Sequence, residues 1–454
     1  MRKNEYDVPV RICKVLNVIL MALCFAAVWY GYYADRALVK YYRRGDWVVI
    51  CLFAILYFGF CRSYDAFHIS TSPISELIYS QGLSLVISDF ALYMVIWLLS
   101  LHMPNVLPML LVLAVQLLVS VLWAYFSHKW YFSNYRPRET AVIYDAREGM
   151  ESLIGEYGLE KKFKIEHVLQ VKECLKSPSV LDGCDTVFLA GIHSHDRNII
   201  LKYCMYRGIR VYVIPRVGDV IMGGAKQIHM FHLPMMQIER YHPIPEYVLA
   251  KRFFDILLSG IALIVLSPFI LITAIAVKSD GGPALYKQKR LTKDGRVFNV
   301  LKFRSMRVDA EKDGVARLST GDKDDRITPV GKVIRKIRFD ELPQLFNILR
   351  GDMSIVGPRP ERPEIAAQYE KEMPEFALRL QAKAGLTGYA QVYGKYNTTP
   401  YDKLLMDLTY IGKPSLWEDF KICLATVKIL FMPESTEGVA EGQTTAMGEK
   451  ITKY

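Results

Sequence analysis

The sequence predicts a membrane α-helical bundle of four spans, then a Rossmann-like α/β middle domain, then an α/β domain anchored by a re-entrant membrane helix. Three observations lead to this fold class. Hydrophobic residues make up 52% of the chain and charged residues only 23%, which is too apolar for a soluble protein. Long apolar runs lie near the N-terminus, and β-rich segments alternate with helical ones farther along. The 454 residues also exceed a typical domain about threefold, so more than one unit is expected.

Residues 1–135 are predicted to form the four-helix transmembrane domain. Four apolar runs, at 15–33, 47–61, 83–101 and 106–126, have lengths at or near those needed to cross a bilayer as helices. Lys and Arg near the run ends favour both ends of this domain on the inner side of the membrane. Asp89 lies within the third run, near its start, where a structural role is favoured over a functional intramembrane acid.

Residues 136–247 are predicted to form the Rossmann-like α/β domain. Short β-rich runs at 141–145, 186–192 and 210–215 are typical of buried parallel strands, and 197–207 of a crossover helix. No G-x-G-x-x-G motif follows the first strand, so dinucleotide binding is not supported, and a spacer or homodimerisation role is expected instead. Histidines at 193, 195, 229 and 232 lack a third ligand at suitable spacing, which favours loop or core positions over a metal site.

Residues 248–432 form the third predicted domain, which opens with a re-entrant helix at 250–278. Ser267 and Pro268 lie near the middle of its apolar run, and proline there removes a backbone donor and clashes with the preceding turn. A helix that breaks at Ser267 and Pro268 can return to the face it entered, which keeps all soluble parts on one side. A merely kinked fifth span is the alternative. Residues 433–454, rich in Glu, Gly, Thr and Ser, are expected to form a flexible tail.

Positive charge concentrates just after this membrane segment. Residues 278–338 contain 17 Lys and Arg against 8 Asp and Glu, a net of +9 out of +11 for the whole chain. Such a segment suits anionic lipid headgroups, and it also suits a phosphate-handling site at the membrane surface. The two interpretations are compatible.

Adjacent acids, Asp340 and Glu341, follow a predicted capped helix that starts at Thr328 and Pro329. They precede Pro343, which marks the first turn of another helix, so the positive end of the helix dipole is expected to keep both carboxylates ionised. Ionised carboxylates, a divalent cation and nearby arginines can attack a phosphoryl group, with one carboxylate as nucleophile and the other holding metal. Taken alone, an acidic pair that caps a helix without chemistry is the better interpretation.

A wider pattern of motifs favours the chemical interpretation. The motifs occur in the order 286–290 (YKQKR), 298–306 (FNVLKFRSM), 338–345 (RFDELPQL), 351–360 (GDMSIVGPRP) and 385–392 (GLTGYAQV). Together they closely resemble the bacterial sugar transferase family, the polyprenyl-phosphate sugar-1-phosphate transferases that initiate exopolysaccharide, capsule, O-antigen and glycoprotein glycan assembly. The preceding spans and α/β domain resemble its large membrane-bound subclass.

The resemblance implies roles for individual residues. Asp340 matches the aspartate that attacks the β-phosphate of a UDP-sugar, expels UMP and carries the phosphosugar until polyprenyl (undecaprenyl) phosphate accepts it. Glu341 matches the glutamate of the Mg²⁺ site. Further matches are Arg335 and the loop of Pro358, Arg359 and Pro360, which engage phosphate or nucleotide, and Ser267 and Pro268, the break of the re-entrant helix.

The family further implies a multi-pass protein of the bacterial inner membrane whose catalytic domain faces the cytoplasm and contacts membrane lipid. Lys302 and Arg304 are weaker candidates for phosphate binding, and structural contacts explain them equally well. Nucleic acid is not an expected partner. The alternatives are a conventional glycosyltransferase that releases UDP and a non-catalytic membrane scaffold. No motif identifies the sugar.

Overall fold

The computed structural model describes most of the chain, and the chain divides between Ile214 and Pro215 into two compact units. The predicted flexible tail at 433–454 lies outside the described residues. These residues are 7–36, 45–100, 102–145, 147–241, 243–279, 281–308, 310, 324, 326–394 and 398–430.

The first unit begins with a helical bundle and continues into a small α/β layer. A π-helical turn, Trp29–Tyr33, extends the first helix. The elements are α1 (Asp7–Val28), α2 (Gly45–Ser63), α3 (Ile74–Ser100), α4 (Leu107–Asn134), β1 (Arg138–Tyr144), α5 (Met150–Glu156), β2 (Phe163–Gln170), α6 (Val171–Lys176), β3 (Thr186–Ala190), α7 (Ser194–Arg207) and β4 (Arg210–Val213).

The bundle has the packing expected of helices surrounded by lipid. Each of α1 to α3 packs against the next helix in the chain, and α1 also packs against α4. The rings of Phe25 and Phe53 stack inside with centroids 4.7 Å apart, whereas Leu98 and Ile55 are 76% and 68% exposed on the outside. The predicted apolar runs therefore do form helices. Among the described residues, these four and one later helix are long and apolar enough to cross a membrane.

The α/β layer contains a four-stranded parallel sheet in the order β2-β1-β3-β4. Strands β1, β3 and β4 confirm the three predicted strands, and α7 confirms the predicted crossover helix. Strand β2 is an addition that the sequence pattern did not indicate. It lies at the sheet edge with mostly exposed side chains, so its charged and polar residues hide the apolar signal. Among the described residues, no group of three His, Cys, Asp or Glu side chains could hold a metal ion.

The second unit begins at Pro215, earlier than the predicted third domain. It includes helix α8 (Val217–Gly223) and a β-hairpin formed by β5 (Lys226–Met230) and β6 (Leu233–Gln237). Helix α8 packs on α14 (Pro400–Gly412) of the same unit. Strands β7 and β8 form a second antiparallel hairpin, and β9 and β10 form a short parallel pair. The elements are α8 (Val217–Gly223), β5 (Lys226–Met230), β6 (Leu233–Gln237), α9 (Pro245–Ser279), β7 (Leu285–Leu291), β8 (Val297–Phe303), α10 (Pro329–Lys336), α11 (Gln344–Arg350), β9 (Ser354–Val356), α12 (Pro363–Glu372), β10 (Gly385–Thr387), α13 (Tyr389–Val392), α14 (Pro400–Gly412) and α15 (Leu416–Leu430).

Helix α9 is the fifth helix long enough to span a membrane, and it contains the predicted break point. Its helical conformation continues through Ser267 and Pro268 over 35 residues. Pro268 has no N–H to donate to the Ile264 carbonyl, four residues earlier. The Ser267 hydroxyl donates to that carbonyl instead, at 2.7 Å. A side chain thus replaces the lost backbone hydrogen bond, which explains how helical conformation persists across the proline.

Candidate active site

The acidic pair lies on a short 3₁₀ turn, Phe339–Glu341, between α10 and α11. Helix α10 begins as predicted, because the Thr328 hydroxyl accepts a hydrogen bond from the Gly331 amide at 2.9 Å. A Cβ atom on Gly331 would lie 2.0 Å from the carbonyl oxygen of Ser305, which follows β8. Only glycine at this position therefore allows α10 to pack so closely against the Ser305 backbone. Arg338, with φ of 55°, turns the chain from α10 toward the acids.

Glu341 receives two cations from distant parts of the sequence. The Lys302 ammonium, on β8, donates to Glu341 Oε1 at 2.8 Å, and the Arg359 guanidinium donates to the same oxygen at 3.3 Å. Burial by itself would raise the pKa of Glu341, but Lys302 and Arg359 outweigh it and hold that pKa well below its ordinary value. Glu341 is therefore a fixed negative charge between two positive ones.

Asp340 is less strongly compensated. Its side chain is buried, and burial together with the negative charge of Glu341 raises its pKa, although Lys302, Arg335 and Arg359 oppose that shift. The expectation of ionised acids agrees with the direction of the pKa shift at Glu341, and for Asp340 it stays a prediction. The helix that follows has only seven residues, and side-chain cations set the electrostatics of the pair.

The predicted cations fall into two groups. Lys302 and Arg359 contact the acidic pair, and Arg335, in the last turn of α10, acts on Asp340 through its charge. Pro358 and Pro360 flank Arg359 and hold no charge of their own. The contacts of Arg304 are different, because its guanidinium donates to four backbone carbonyls. These hydrogen bonds tie the end of α9 to the end of β8, so Arg304 has a structural role.

The four acceptors of Arg304 are the carbonyl oxygens of Val277, Gly281, Pro283 and Met306, at 2.8 to 3.1 Å. The side chain is 93% buried by these contacts, since only 7% of the residue is exposed. Its use for substrate phosphate stays a prediction that this geometry does not favour.

Asp340 and Glu341 also form a donor set that fits Mg²⁺. This ion commonly binds one or two protein carboxylates and completes its shell with water and substrate phosphates, so a pair of adjacent acids is sufficient. The ion pairs of Glu341 with Lys302 and Arg359 both involve Oε1. The second carboxylate oxygen of Glu341 and one oxygen of Asp340 are the atoms to which Mg²⁺ would bind, which leaves the other Asp340 oxygen for chemistry.

Comparison with known proteins places this site in a family. Residues 246–433 match the profile of the bacterial sugar transferases. Over 201 residues the chain is 40% identical to a UDP-glucose:undecaprenyl-phosphate glucose-1-phosphate transferase of Caulobacter vibrioides, a match that spans 74% of that relative and 42% of this chain. The chain belongs to the bacterial sugar transferase family.

Two longer relatives match about half of this chain or slightly less. A UDP-N-acetylgalactosamine-undecaprenyl-phosphate N-acetylgalactosaminephosphotransferase of Aeromonas hydrophila is 39% identical over 234 residues, 51% of this chain and 54% of the relative. The galactosyl transferase CpsE of Streptococcus agalactiae is 42% identical over 196 residues, 41% of this chain and 43% of the relative. The match thus spans about half the length of these two relatives.

Sequence reasoning missed two arginines of this transferase that hold the loop around Arg359. Arg379 pairs with Asp407, and Arg290 donates to the Pro360 carbonyl at 2.9 Å. No local pattern marks these contacts, because their partners are 28 and 70 positions away in the sequence.

Proposed function

We propose that this protein transfers a sugar 1-phosphate from a UDP-sugar to undecaprenyl phosphate, giving polyprenyl-diphosphate-sugar and UMP. The observation that carries the proposal is the pair of Asp340 and Glu341 with Lys302 and Arg359 around it, inside the segment that matches the family. The names of the Aeromonas and Caulobacter relatives both contain undecaprenyl phosphate and differ in the sugar, and the Streptococcus relative is named only as a galactosyl transferase. The sugar of this protein is therefore left open.

In the first step the Asp340 carboxylate attacks the β-phosphorus of the UDP-sugar. An oxygen–phosphorus bond forms to Asp340, and the bond from that phosphorus to the bridging oxygen breaks, so that UMP leaves with the bridging oxygen. Lys302, Arg335 and Arg359 lie where positive charge offsets the negative charge on the phosphoryl oxygens. Glu341 stays ionised and orients Lys302 and Arg359.

In the second step an oxygen of undecaprenyl phosphate attacks the phosphorus of the aspartyl phosphosugar. The bond to Asp340 breaks, the carboxylate is regenerated, and the lipid leaves with the sugar phosphate. Two sequential displacements let a nucleotide and a bulky lipid use one carboxylate in turn. Mg²⁺ bound by Asp340 and Glu341 would supply positive charge to the diphosphate.

The anchoring of α9 supports a re-entrant helix and hence a site on one face of the membrane. Near its start, Arg252 donates to the Ile348 and Leu349 carbonyls of α11, and near its end the Val277 carbonyl accepts from Arg304. A straight helix would separate Arg252 and Val277 by about 38 Å, more than the hydrocarbon thickness of about 30 Å.

The partners of these two ends lie close together in the α/β core. Asn347, beside Ile348, hydrogen-bonds to Leu301 and Asn299 on the strand that leads to Arg304. Both ends of α9 therefore belong on one side, which we infer is the cytoplasmic side of the bacterial inner membrane, where UDP-sugars are made. Cysteines placed at 246 and 279 in a cysteine-free background should react with the same membrane-impermeant reagent from that side, and labelling from opposite sides would contradict a re-entrant helix.

The test of the proposed function is the substitution Asp340→Asn. An amide cannot form the acyl phosphate, so we expect UMP release to fall by at least about 1,000-fold. With UDP-sugar alone, the unmodified protein should gain the mass of one phosphosugar, and the variant should gain none. Asp294→Asn is a matched control, because Asp294 is exposed and has a left-handed backbone that asparagine also adopts.

Two outcomes would reject this function. Release of UDP would identify a conventional glycosyltransferase, which moves the sugar without its phosphate. No nucleotide release from any UDP-sugar of a broad panel, with or without Mg²⁺, would support a scaffold.

A further inference from the structure

The loop that presents Arg359 is held by its carbonyl groups. Pro358 and Pro360 have no N–H, so hydrogen bonds to the loop backbone depend mainly on carbonyl oxygens. Four consecutive carbonyls, from Pro358 to Glu361, each accept one. The donors, in order, are the Gly385 amide at 2.9 Å, Arg379 Nη2 at 2.8 Å, Arg290 Nη1 at 2.9 Å and the Leu291 amide at 2.9 Å.

The two outer anchors are backbone groups, and the two central anchors are arginine side chains. Arg379 binds the carbonyl of Arg359 itself, the residue whose guanidinium reaches Glu341. Arg290 binds the carbonyl of Pro360. The position of the Arg359 side chain relative to the acidic pair thus depends on side chains that do not contact the acids.

Arg379 is placed to hold the loop around Arg359 and not to bind substrate. Its side chain is only 4% exposed. Its Nε donates to Asp407 Oδ2 at 2.9 Å, Nη2 lies 2.6 Å from the same oxygen, and Nη1 lies 3.6 Å from Glu361 Oε1. The guanidinium also lies over the ring of Phe376, 4.9 Å from its centroid. Every edge of the guanidinium is therefore engaged by protein.

The pair of Arg379 and Asp407 is an inefficient way to stabilise a fold. Taking two charges out of water costs several kcal/mol, and apolar residues of similar volume often do as well or better. What apolar residues would not supply is a rigid N–H donor aimed at the Arg359 carbonyl. The fork geometry of arginine allows one side chain to bind Asp407 and that carbonyl at once.

Resting on the proposed function, we propose that Arg379, oriented by Asp407, is a positioning residue that holds the Arg359 guanidinium against Glu341 beside the nucleophile. Arg290 supports the same loop by donating to the neighbouring carbonyl, that of Pro360. Because small misplacement of a catalytic group costs up to about 100-fold in rate, loss of this anchor should lower catalysis without removing any group that touches substrate.

The experiment compares UMP release by the full-length protein, its Arg379→Lys variant and a matched Arg350→Lys control. Lysine keeps the charge beside Asp407 but lacks the fork that also reaches the carbonyl. We expect Arg379→Lys to lower kcat/KM by about 10- to 100-fold, with little change in melting temperature. Arg350 is exposed at the end of α11, and its conversion to lysine should leave kcat/KM within about twofold.

A double-mutant cycle distinguishes positioning from a general structural role. If Arg379 acts through Arg359, then Arg379→Lys should cost little more in the Arg359→Gln background, so the two losses should not multiply. Losses that multiply would overturn the proposal. An Arg379→Lys variant that melts normally and keeps its full kcat/KM would also overturn it.

If Arg379→Lys does not fold, Arg290→Lys carries the same test at the neighbouring carbonyl. It should give a smaller loss of kcat/KM that again fails to multiply with Arg359→Gln, and multiplying losses would count against the proposal. The unmodified protein separates the two inferences. Absence of UMP release from it refutes the proposed function, whereas normal UMP release with an unaffected Arg379→Lys variant refutes only the positioning role.

Discussion

Buried carboxylates occur in both units, and their surroundings differ. In the first unit Asp89 lies near the middle of α3 and is 2% exposed, and among the described residues its side-chain neighbour is the neutral Gln116 amide, with no ion pair to a Lys or Arg. In the second unit Glu341 is held by Lys302 and Arg359, and Asp407 by Arg379. The same kind of group thus has only a neutral described neighbour inside the bundle and has cations around it in the α/β core.

The difference between the surroundings of these carboxylates indicates which unit uses charged side chains in its interior. The bundle interior relies on neutral polar pairs, such as the Tyr57 hydroxyl donating to Asn17 Oδ1 at 2.9 Å and the Ser120 hydroxyl donating to Gln81 Oε1 at 2.8 Å. An ionised carboxylate without a partner is costly in such a place, whereas a paired one can stay charged. Phosphoryl chemistry needs fixed charges, so the comparison assigns it to the second unit.

The largest effect expected after loss of the nucleophile belongs to Glu341→Gln. The amide cannot remain anionic, so Lys302 and Arg359 lose their partner and the Mg²⁺ site loses a ligand. We expect kcat/KM to fall by about 100- to 1,000-fold, and half-maximal UMP release to require at least about tenfold more Mg²⁺.

Glu364→Gln, at an exposed position in the first turn of α12, is the control for this change and should behave as the unmodified protein. An unchanged Mg²⁺ requirement in Glu341→Gln would remove Glu341 from the metal site.

A smaller effect is expected for Lys302→Met, which removes one cation and keeps most of the apolar stem. Burial and Glu341 already raise the pKa of Asp340, and Lys302 opposes that rise, so its loss should raise the pKa further. Asp340 must be ionised to attack. The acidic limb of kcat/KM against pH should therefore move to higher pH, with a loss of about tenfold or more at neutral pH.

The smallest effect is expected in the bundle, for Asp89→Asn. Because no described Lys or Arg pairs with Asp89, and its side-chain neighbour Gln116 is neutral, a neutral amide of the same shape should serve equally well. UMP release should stay within about twofold and the melting temperature within a few degrees. A tenfold loss of activity in a folded variant would show that Asp89 acts as a charged group, and the contrast between the two units would fail.

Much of the fold follows from local patterns. The apolar runs predicted helices α1 to α4, and three apolar segments predicted β1, β3 and β4. Asp89 was placed near the start of its span because the apolar run begins at residue 83, whereas α3 begins at Ile74 and leaves Asp89 near its middle. Strand β2 was missed because its polar edge carries no apolar signal, and the packing of α8 on α14 joins residues almost 200 positions apart.

The sequence by itself determined the membrane helices, the basic segment and the acidic pair, because hydrophobic periodicity, charge and motif spacing are local properties. Only the tertiary structure decided which cations meet that pair. Lys302 reaches Glu341 from β8, and Arg359 reaches it from a loop 18 residues after Glu341. Arg304, only two residues after Lys302, instead contacts the end of α9. Strand β8 ends at Phe303, so Arg304 lies beyond the strand that holds Lys302, and the contacts of both side chains form across long separations in the sequence. Side-chain partners therefore depend on how the elements pack.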